Sequence, residues 1–340
     1  MTAEVLSTET PALFDQAVAR AAALLRDGQV VALPTETVYG LAANAWNAAA
    51  VRRIFQVKER PAENPIIVHV ASLEMARRCV AAWPAPARRL AAAFWPGPLT
   101  LVLPRAQAIP PPVTAGGATV GVRWPSHPFM QAVIRACGFP LAAPSANRST
   151  ELSPTTAEHV RKSLGGRIPL IVDGGPARVG LESSVLDLAS LPPRLLRPGM
   201  ISAASLRAVL GQDGLATAAG ADAVLRSPGL LPRHYSPRAK LAVLHWRDEA
   251  DLASRISRLG VAPEKTHILT HSGAPLRQQF GRVALIPPNA AAWARALYAE
   301  LHRCDEAGAE LIVVEAPPAG EAWRAIADRL ERAAHVAPRH

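Results

Sequence analysis

The chain of 340 residues lacks the common signatures of a protein nucleophile or a metal cage. It has no G-x-x-x-x-G-K-[ST] phosphate loop, no H-E-x-x-H helix and no G-x-S-x-G elbow. Without G-x-G-x-x-G, dinucleotide binding has no support either. Cysteine is scarce. Cys79, Cys137 and Cys304 stand far apart with no Cys-x-x-Cys pair, which argues against a disulfide framework or a structural zinc and fits a reduced, cytoplasmic setting. No apolar run approaches the ~20 residues that a membrane helix needs. The acidic start MTAEVLSTETPALFDQ lacks a basic-then-apolar leader. The net charge is +10, yet no run of five or more like charges occurs. Scattered arginines of this kind fit nucleic acid or an anionic small molecule.

Lysine is scarcer still than the charge suggests. Only Lys58, Lys162, Lys240 and Lys265 occur, so Lys58 stands alone in the first 161 residues. It lies in Lys58-Glu59-Arg60-Pro61. Pro61 disfavours a helical backbone at Arg60. The expectation is that both cations leave a helix end on an extended segment, where side chains two apart share a side. A compact ammonium beside a forked guanidinium suits a polyphosphate.

Turn and capping signals organise the chain. A helix is expected over 10–27, capped by Thr10 and ended by Gly28. A strand Gln29–Leu33 leads into a polar loop Pro34–Gly40, and Asn47 caps a helix over 48–57. Strands are expected at Pro65–Val70, Leu99–Leu103, Thr119–Arg123, Leu141–Ala143, 169–172, 184–188 and 194–197. Helices are expected at 73–81, 86–94, 126–137 and 155–164. The mixture without strict alternation reads as α/β: an open, twisted, mixed sheet with flanking helices over residues 1–210. Residues 211–238 form a linker ending in Ser227-Pro228-Gly229-Leu230-Leu231-Pro232-Arg233-His234-Tyr235-Ser236-Pro237, whose aromatic and cationic content suits packing over a site as well as a tether. Residues 239–340 alternate strands (240–246, 266–270, 283–286, 311–315) with helices (248–259, 289–304, 320–333), a smaller, Rossmann-like parallel α/β domain.

Several segments carry polar groups that could do chemistry. Pro34-Thr35-Glu36-Thr37-Val38-Tyr39-Gly40-Leu41 gathers hydroxyls, a carboxylate and a phenol after a strand. It reads equally as a self-bonded turn or a site. His69, in the apolar strand PIIVHV, is a satisfied core residue or a ligand. Asn64 could donate to a phosphate or cap a turn. Thr119, Gly121 and Arg123 alternate on one strand face, with Gly121 leaving room between the other two, or form an edge strand with an exposed arginine. Pro144-Ser145-Ala146-Asn147 is a strand-to-helix turn suited to anions. Ser153 also reads as a helix cap. Ser183 and Arg197 lie at strand ends.

In order and spacing, Pro34–Leu41, Lys58-Glu59-Arg60-Pro61, Asn64–His69, Ser145-Ala146-Asn147, Gly180–Val185 and Arg197-Pro198-Gly199 resemble the YrdC-like family. With His234-Tyr235-Ser236-Pro237, the chain resembles the long, two-domain threonylcarbamoyl-AMP synthases of that family. The resemblance implies synthesis of threonylcarbamoyl-adenylate and pyrophosphate from L-threonine, bicarbonate and ATP, the product passing to a tRNA threonylcarbamoyl transferase complex. It implies that Lys58 and Arg60 are catalytic and hold the triphosphate, with Asn64 and Ser145 assisting. Thr119, Ser153 and Arg197 would complete the nucleotide site, and Asn147 would shape the phosphate turn. Thr35, His69, Arg123 and Ser183 would hold threonine. Tyr39 would help to wall the cavity, and His234 and Tyr235 would close over it. Mg²⁺ would be held mainly through ATP phosphates, with no metal ligand from the protein. Ala143 and Ser184 depart from the residues common in the family. The rival reading is a duplex-RNA- or tRNA-binding module of the same fold.

Overall fold

The structure is a computed structural model and describes residues 2–211, 214–216, 236–273 and 279–334. The chain divides into two compact units: Met1–Ser149 with Ser153–Leu231, and Pro232–His340 with Thr150–Leu152. The division falls inside the stretch expected as a linker. His234 and Tyr235 lie outside the described residues.

The first unit runs β1 (Glu4–Ser7), α1 (Pro11–Arg26), β2 (Val31–Leu33), β3 (Gly40–Asn44), α2 (Ala48–Lys58), β4 (Val68–His69), α3 (Leu73–Cys79), α4 (Ala85–Phe94), β5 (Leu99–Pro104), β6 (Thr119–Arg123), α5 (Pro128–Cys137), β7 (Leu141–Ala142), α6 (Ala157–Leu164), β8 (Leu170–Asp173), β9 (Ser184–Asp187), β10 (Arg194–Arg197) and α7 (Ala203–Leu210). Its strands form one ten-stranded sheet in the order β1-β8-β2-β3-β7-β4-β6-β5-β9-β10. Pairing is mixed: β2–β3, β3–β7, β4–β7, β5–β6 and β9–β10 are antiparallel, and the other pairs are parallel.

Local chemistry sets the helix ends. Thr10 Oγ1 accepts from Leu13 N, and Asn47 Oδ1 accepts from Ala49 N and Ala50 N. Alternation then sorts side chains between two cores. Leu41 and Ala43 enter one apolar cluster, while Val31, Leu33 and Ala42 enter the other. On this second face α1 and α5 pack together, with Phe14 edge-on to Phe129 at 5.1 Å. Farther along, over β4, β6 and β5, the same face carries His69, Arg123, Gly121, Thr119 and Thr100. The register follows from the pairs His69↔Leu141, His69↔Arg123 and Gly121↔Val102. The face changes from apolar to polar there.

Several expectations need correction. Lys58 is the last helical residue of α2, not part of an extended segment. Glu59 takes the left-handed cap conformation (φ 52°), its N–H bonds Phe55 and Gln56 carbonyls, and only Arg60 leaves the helix. Ser153 is not a helix cap: Thr156 caps α6, and Ser153 Oγ donates to Glu182 Oε1 at 2.5 Å. β6 lies between β4 and β5, so Arg123 is not on an edge. The loop Pro34–Tyr39 is polar in composition but buried throughout. β1, β3 and α7 were not expected.

The second unit contains β11 (Lys240–Leu244), α8 (Glu249–Ser257), β12 (Thr266–Thr270), β13 (Arg282–Leu285), α9 (Ala290–Glu306), β14 (Leu311–Glu315) and α10 (Arg324–Ala333). Its four strands are all parallel, in the order β11-β14-β12-β13.

Candidate active site

Two cations expected at the site are buried. Lys58 is 1% exposed and Arg60 is 8% exposed. Lys58 Nζ donates to the Ser145 carbonyl at 2.6 Å and to the Asn147 carbonyl. Arg60 Nε donates to the Asn64 carbonyl at 3.2 Å, and its Nη2 to the Pro65 carbonyl at 2.9 Å. Burying such charges is costly unless polar groups surround them. Asn64 is 1% exposed, and neither its Nδ2 nor its Oδ1 has a partner among the described residues. A buried amide in that state retains its full capacity to donate and accept hydrogen bonds.

The turn Pro144–Ser149 is stitched to its neighbours by main-chain bonds. Leu41 N donates to Pro144 O, Ala146 N to Tyr39 O, and Ser149 N to Lys58 O, each at 2.8 Å. Asn147 Nδ2 donates to Arg148 O at 2.9 Å, which braces the same turn. Tyr39 is fully buried. Its hydroxyl donates to Gly175 O at 2.7 Å and accepts from Gly174 N at 3.2 Å, so it pins the preceding loop rather than walling an open cavity.

Arg123 organises the threonine-rich loop. Its Nη1 donates to Thr37 Oγ1 at 2.9 Å and its Nε to Gly97 O at 3.3 Å. Its Nη2 lies 2.8 Å from Glu36 Oε1, close enough for an ion pair but not aligned as a hydrogen bond. Thr35 Oγ1 donates to Val38 O at 2.6 Å and accepts from the Thr37 and Val38 N–H groups. Burial would raise the Glu36 carboxyl, but the Arg123 charge, with the Ser126 N–H, holds it below the usual carboxylate range. His69 is pushed down to about 3, first by burial and then by Arg123, so its ring is neutral near pH 7.

Ser183 and Arg197 meet at the other side of β5. Arg197 Nε donates to Ser183 O at 3.1 Å, and its Nη2 to Ser183 Oγ at 3.2 Å. A bulge between Leu195 and Arg197 in β10 sets this register. Ser183 Oγ also shares a 2.8 Å hydrogen bond with Thr100 Oγ1. Gly199 permits the approach: a Cβ there would lie 2.4 Å from Ser184 N.

A recess on the polar face is lined by Ile67, Thr100, Val102, Thr119, Gly121 and Val185, among others. Gly121 leaves its space: a Cβ would come 3.1 Å from Thr100 Cγ2.

This geometry fits what comparison with known proteins gives. Residues 23–199 match the Sua5/YciO/YrdC model described as "Telomere recombination", and residues 201–335 match the model of the threonylcarbamoyl-AMP synthase C-terminal domain. The Bacillus subtilis threonylcarbamoyl-AMP synthase is 43% identical, over 94% of this chain and 93% of its own length. The chain belongs to the threonylcarbamoyl-AMP synthase family. The family member from Pyrococcus abyssi is 38% identical over 92% of each chain. A solved P. abyssi Sua5 complexed with L-threonine superposes with a TM-score of 0.88 at 35% identity, covering 98% of this chain and 97% of that one.

Within this synthase-family chain, the structure brings Thr35, His69 and Arg123 to one region. Ser183 joins Arg197, and Thr119 lines the recess. Lys58, Ser145 and Asn147 share one hydrogen-bonded turn, while Arg60 and Asn64 share another. Sequence reasoning gave no role to Glu36, Thr37, Thr100 or Glu182. Glu36, Thr37 and Glu182 lie in segments that the sequence singles out, but only tertiary contacts give them partners; Thr100 carried no signal. Among the described residues, no set of His, Cys, Asp or Glu converges around Lys58, Arg60 and Asn64. Glu182 is engaged by Ser153, and Glu36 pairs with Arg123 through one of its two oxygens. That donor set suits a divalent ion carried by phosphate oxygens and water.

Proposed function

We infer that this chain is a threonylcarbamoyl-AMP synthase, joining L-threonine, bicarbonate and ATP into threonylcarbamoyl-adenylate with release of pyrophosphate. The carrying observation is that Lys58 and Arg60 are both buried and held by main-chain carbonyls, in turns that also present Ser145 and the unpartnered Asn64 amide. Fixed cations of this kind steady a polyphosphate without a protein nucleophile.

Threonine's amine captures carbon dioxide or bicarbonate to give a carbamate. A carbamate oxygen attacks the α-phosphorus, and pyrophosphate leaves. Lys58 and Arg60 hold the triphosphate, with Ser145 and Asn64 beside them. Asn147 keeps the turn in shape. Thr119, Ser153 and Arg197 complete the nucleotide site. Thr35, His69 and Ser183 hold threonine, and Arg123 takes its carboxylate. Mg²⁺ carried by the nucleotide would supply charge neutralisation on the triphosphate beside Lys58 and Arg60.

The enzyme class that follows is nucleotidyltransferase, and the product goes to a tRNA-modifying threonylcarbamoyl transferase. A reduced cytoplasm is the compartment we assign, in keeping with three buried, free cysteines. Among the described residues, no helix is long and apolar enough to cross a membrane. The RNA-module reading draws no support from relatives that carry the synthase name.

The deciding experiment supplies ATP, labelled bicarbonate and each amino acid in turn. Label captured only with threonine is expected. Capture with another amino acid, or none, overturns the reading.

A further inference from the structure

The Glu36 carboxylate has one oxygen more than its arginine uses. Oε1 pairs with Arg123 and accepts from Ser126 N at 3.0 Å. Oε2 is buried, in a residue only 4% exposed, and has no partner among the described residues. Leaving a buried carboxylate oxygen without a donor is expensive. Neutralising Arg123 needs only Oε1, so that role leaves Oε2 unexplained.

The groups facing Glu36 narrow what Oε2 could take. The charged or titratable neighbours that act on it or feel its charge are Arg123, His69 and His127. Burial lowers both histidines, so neither brings a positive charge to Oε2 at neutral pH. Nδ1 of His69 and Nδ1 of His127 are themselves buried without partners among the described residues. Among the described residues, Oε2 thus lacks a protein donor, and a negative charge there repels phosphate. A cationic or N–H-bearing ligand is the complement.

Arg123 supplies the other half. Its Nε and Nη1 are committed to Gly97 and Thr37, whereas Nη2 has no aligned acceptor. A donor and an acceptor of opposite charge therefore stand side by side, 2.8 Å apart through Oε1. An α-amino acid carries an ammonium and a carboxylate on one carbon, which is the matching arrangement.

We propose that Glu36 is the receptor for the amino group of the amino-acid substrate, its Oε2 taking an N–H while Arg123 Nη2 takes the carboxylate. This rests on the threonine reading above and adds a specificity determinant to it. Hydroxy acids and other ligands without the amine leave Oε2 orphaned, and its negative charge disfavours phosphate beside it.

The test is calorimetric titration of the full-length protein with L-threonine and with 3-hydroxybutyrate, the same skeleton without the amine. The wild type is expected to prefer threonine by about 10- to 100-fold, the range of a charge-assisted hydrogen bond. In Glu36→Gln, threonine should weaken by a similar factor while 3-hydroxybutyrate holds or tightens, because Arg123 loses its competing anion. Equal weakening of both ligands would mean that Glu36 only supports the fold, and the proposal fails. Should Glu36→Gln not fold, the wild-type comparison still decides: equal affinity for the two ligands overturns the amine receptor. Threonine-dependent pyrophosphate release by the wild type, measured separately, reports on the overall reaction, so its loss is distinguishable from a failed preference for the amine.

Discussion

Lys58 Nζ reaches across 87 positions of sequence to donate to the Ser145 carbonyl at 2.6 Å. The bond fastens the last turn of α2 to the turn after β7, so one ammonium both holds a fold junction and stands at the candidate phosphate site.

Lys58→Ala should therefore cut threonine- and bicarbonate-dependent pyrophosphate release by about 10²- to 10³-fold, the usual cost of removing one preorganised charge donor. It should also cost about 1–3 kcal/mol of stability, because the Ser145 and Asn147 carbonyls lose a donor. A pyrophosphate assay and a urea melt read the two effects. Undiminished turnover would remove Lys58 from the mechanism.

Arg123→Ala strands the Glu36 carboxylate in a buried position. A loss of about 3–5 kcal/mol is expected, as for breaking one side of a buried ion pair. For kinetics the milder Arg123→Lys is preferable: it keeps the charge but loses the forked contacts to Thr37 and Gly97. It should raise the threonine KM far more than the ATP KM. An equal rise in both would contradict the carboxylate role.

His69 links pH to stability. Its folded value of about 3 lies below the ~6.5 of an unfolded histidine. Between those limits the unfolded chain binds the extra proton, so stability falls as pH drops below 6.5 and stops falling near 3. At pH 4.5 the share from His69 is about 2–3 kcal/mol. His69→Gln should lose that much less stability than the wild type between pH 7 and 4.5 in urea melts. Identical losses would show that His69 is not buried as a neutral ring.

Gly199→Ala places a methyl 2.4 Å from Ser184 N and 2.7 Å from Ser184 Oγ. Both β9 and the loop after β10 must give way. A destabilisation of about 1–3 kcal/mol is expected from such overpacking. Weaker nucleotide binding should accompany it, because Arg197 is two residues away. Thermal melting with and without ATP checks both. A variant as stable as the wild type would mean that the junction is looser than drawn.

Much of the architecture was legible. Alternating β-branched residues marked β5 and β6, and Thr10 and Asn47 announced their helices. β3 was missed because Gly40-Leu41-Ala42-Ala43-Asn44 is made of small residues with little strand preference, and pairing with β2 and β7 imposes its shape. Lys58 was misplaced because Pro61 constrains only Arg60, while the left-handed turn at Glu59 is a cap that local preference does not announce. Ser153 reads as a possible cap because caps and buried hydroxyls look alike in sequence; its bond to Glu182, just before β9, is a tertiary contact.

The sequence alone determined the family, the α/β class and which residue types could meet a nucleotide and an amino acid, because ordered motifs, capping residues and hydrophobic periodicity are local. Only tertiary structure decided which of those groups are already satisfied. That Arg123 pairs with one oxygen of Glu36 and leaves the other bare depends on β6 lying against β4 and β5, with the loop after β2 folded over them. Hydrogen-bond partners so far apart along the chain are chosen by sheet register, and register is a property of the assembled fold.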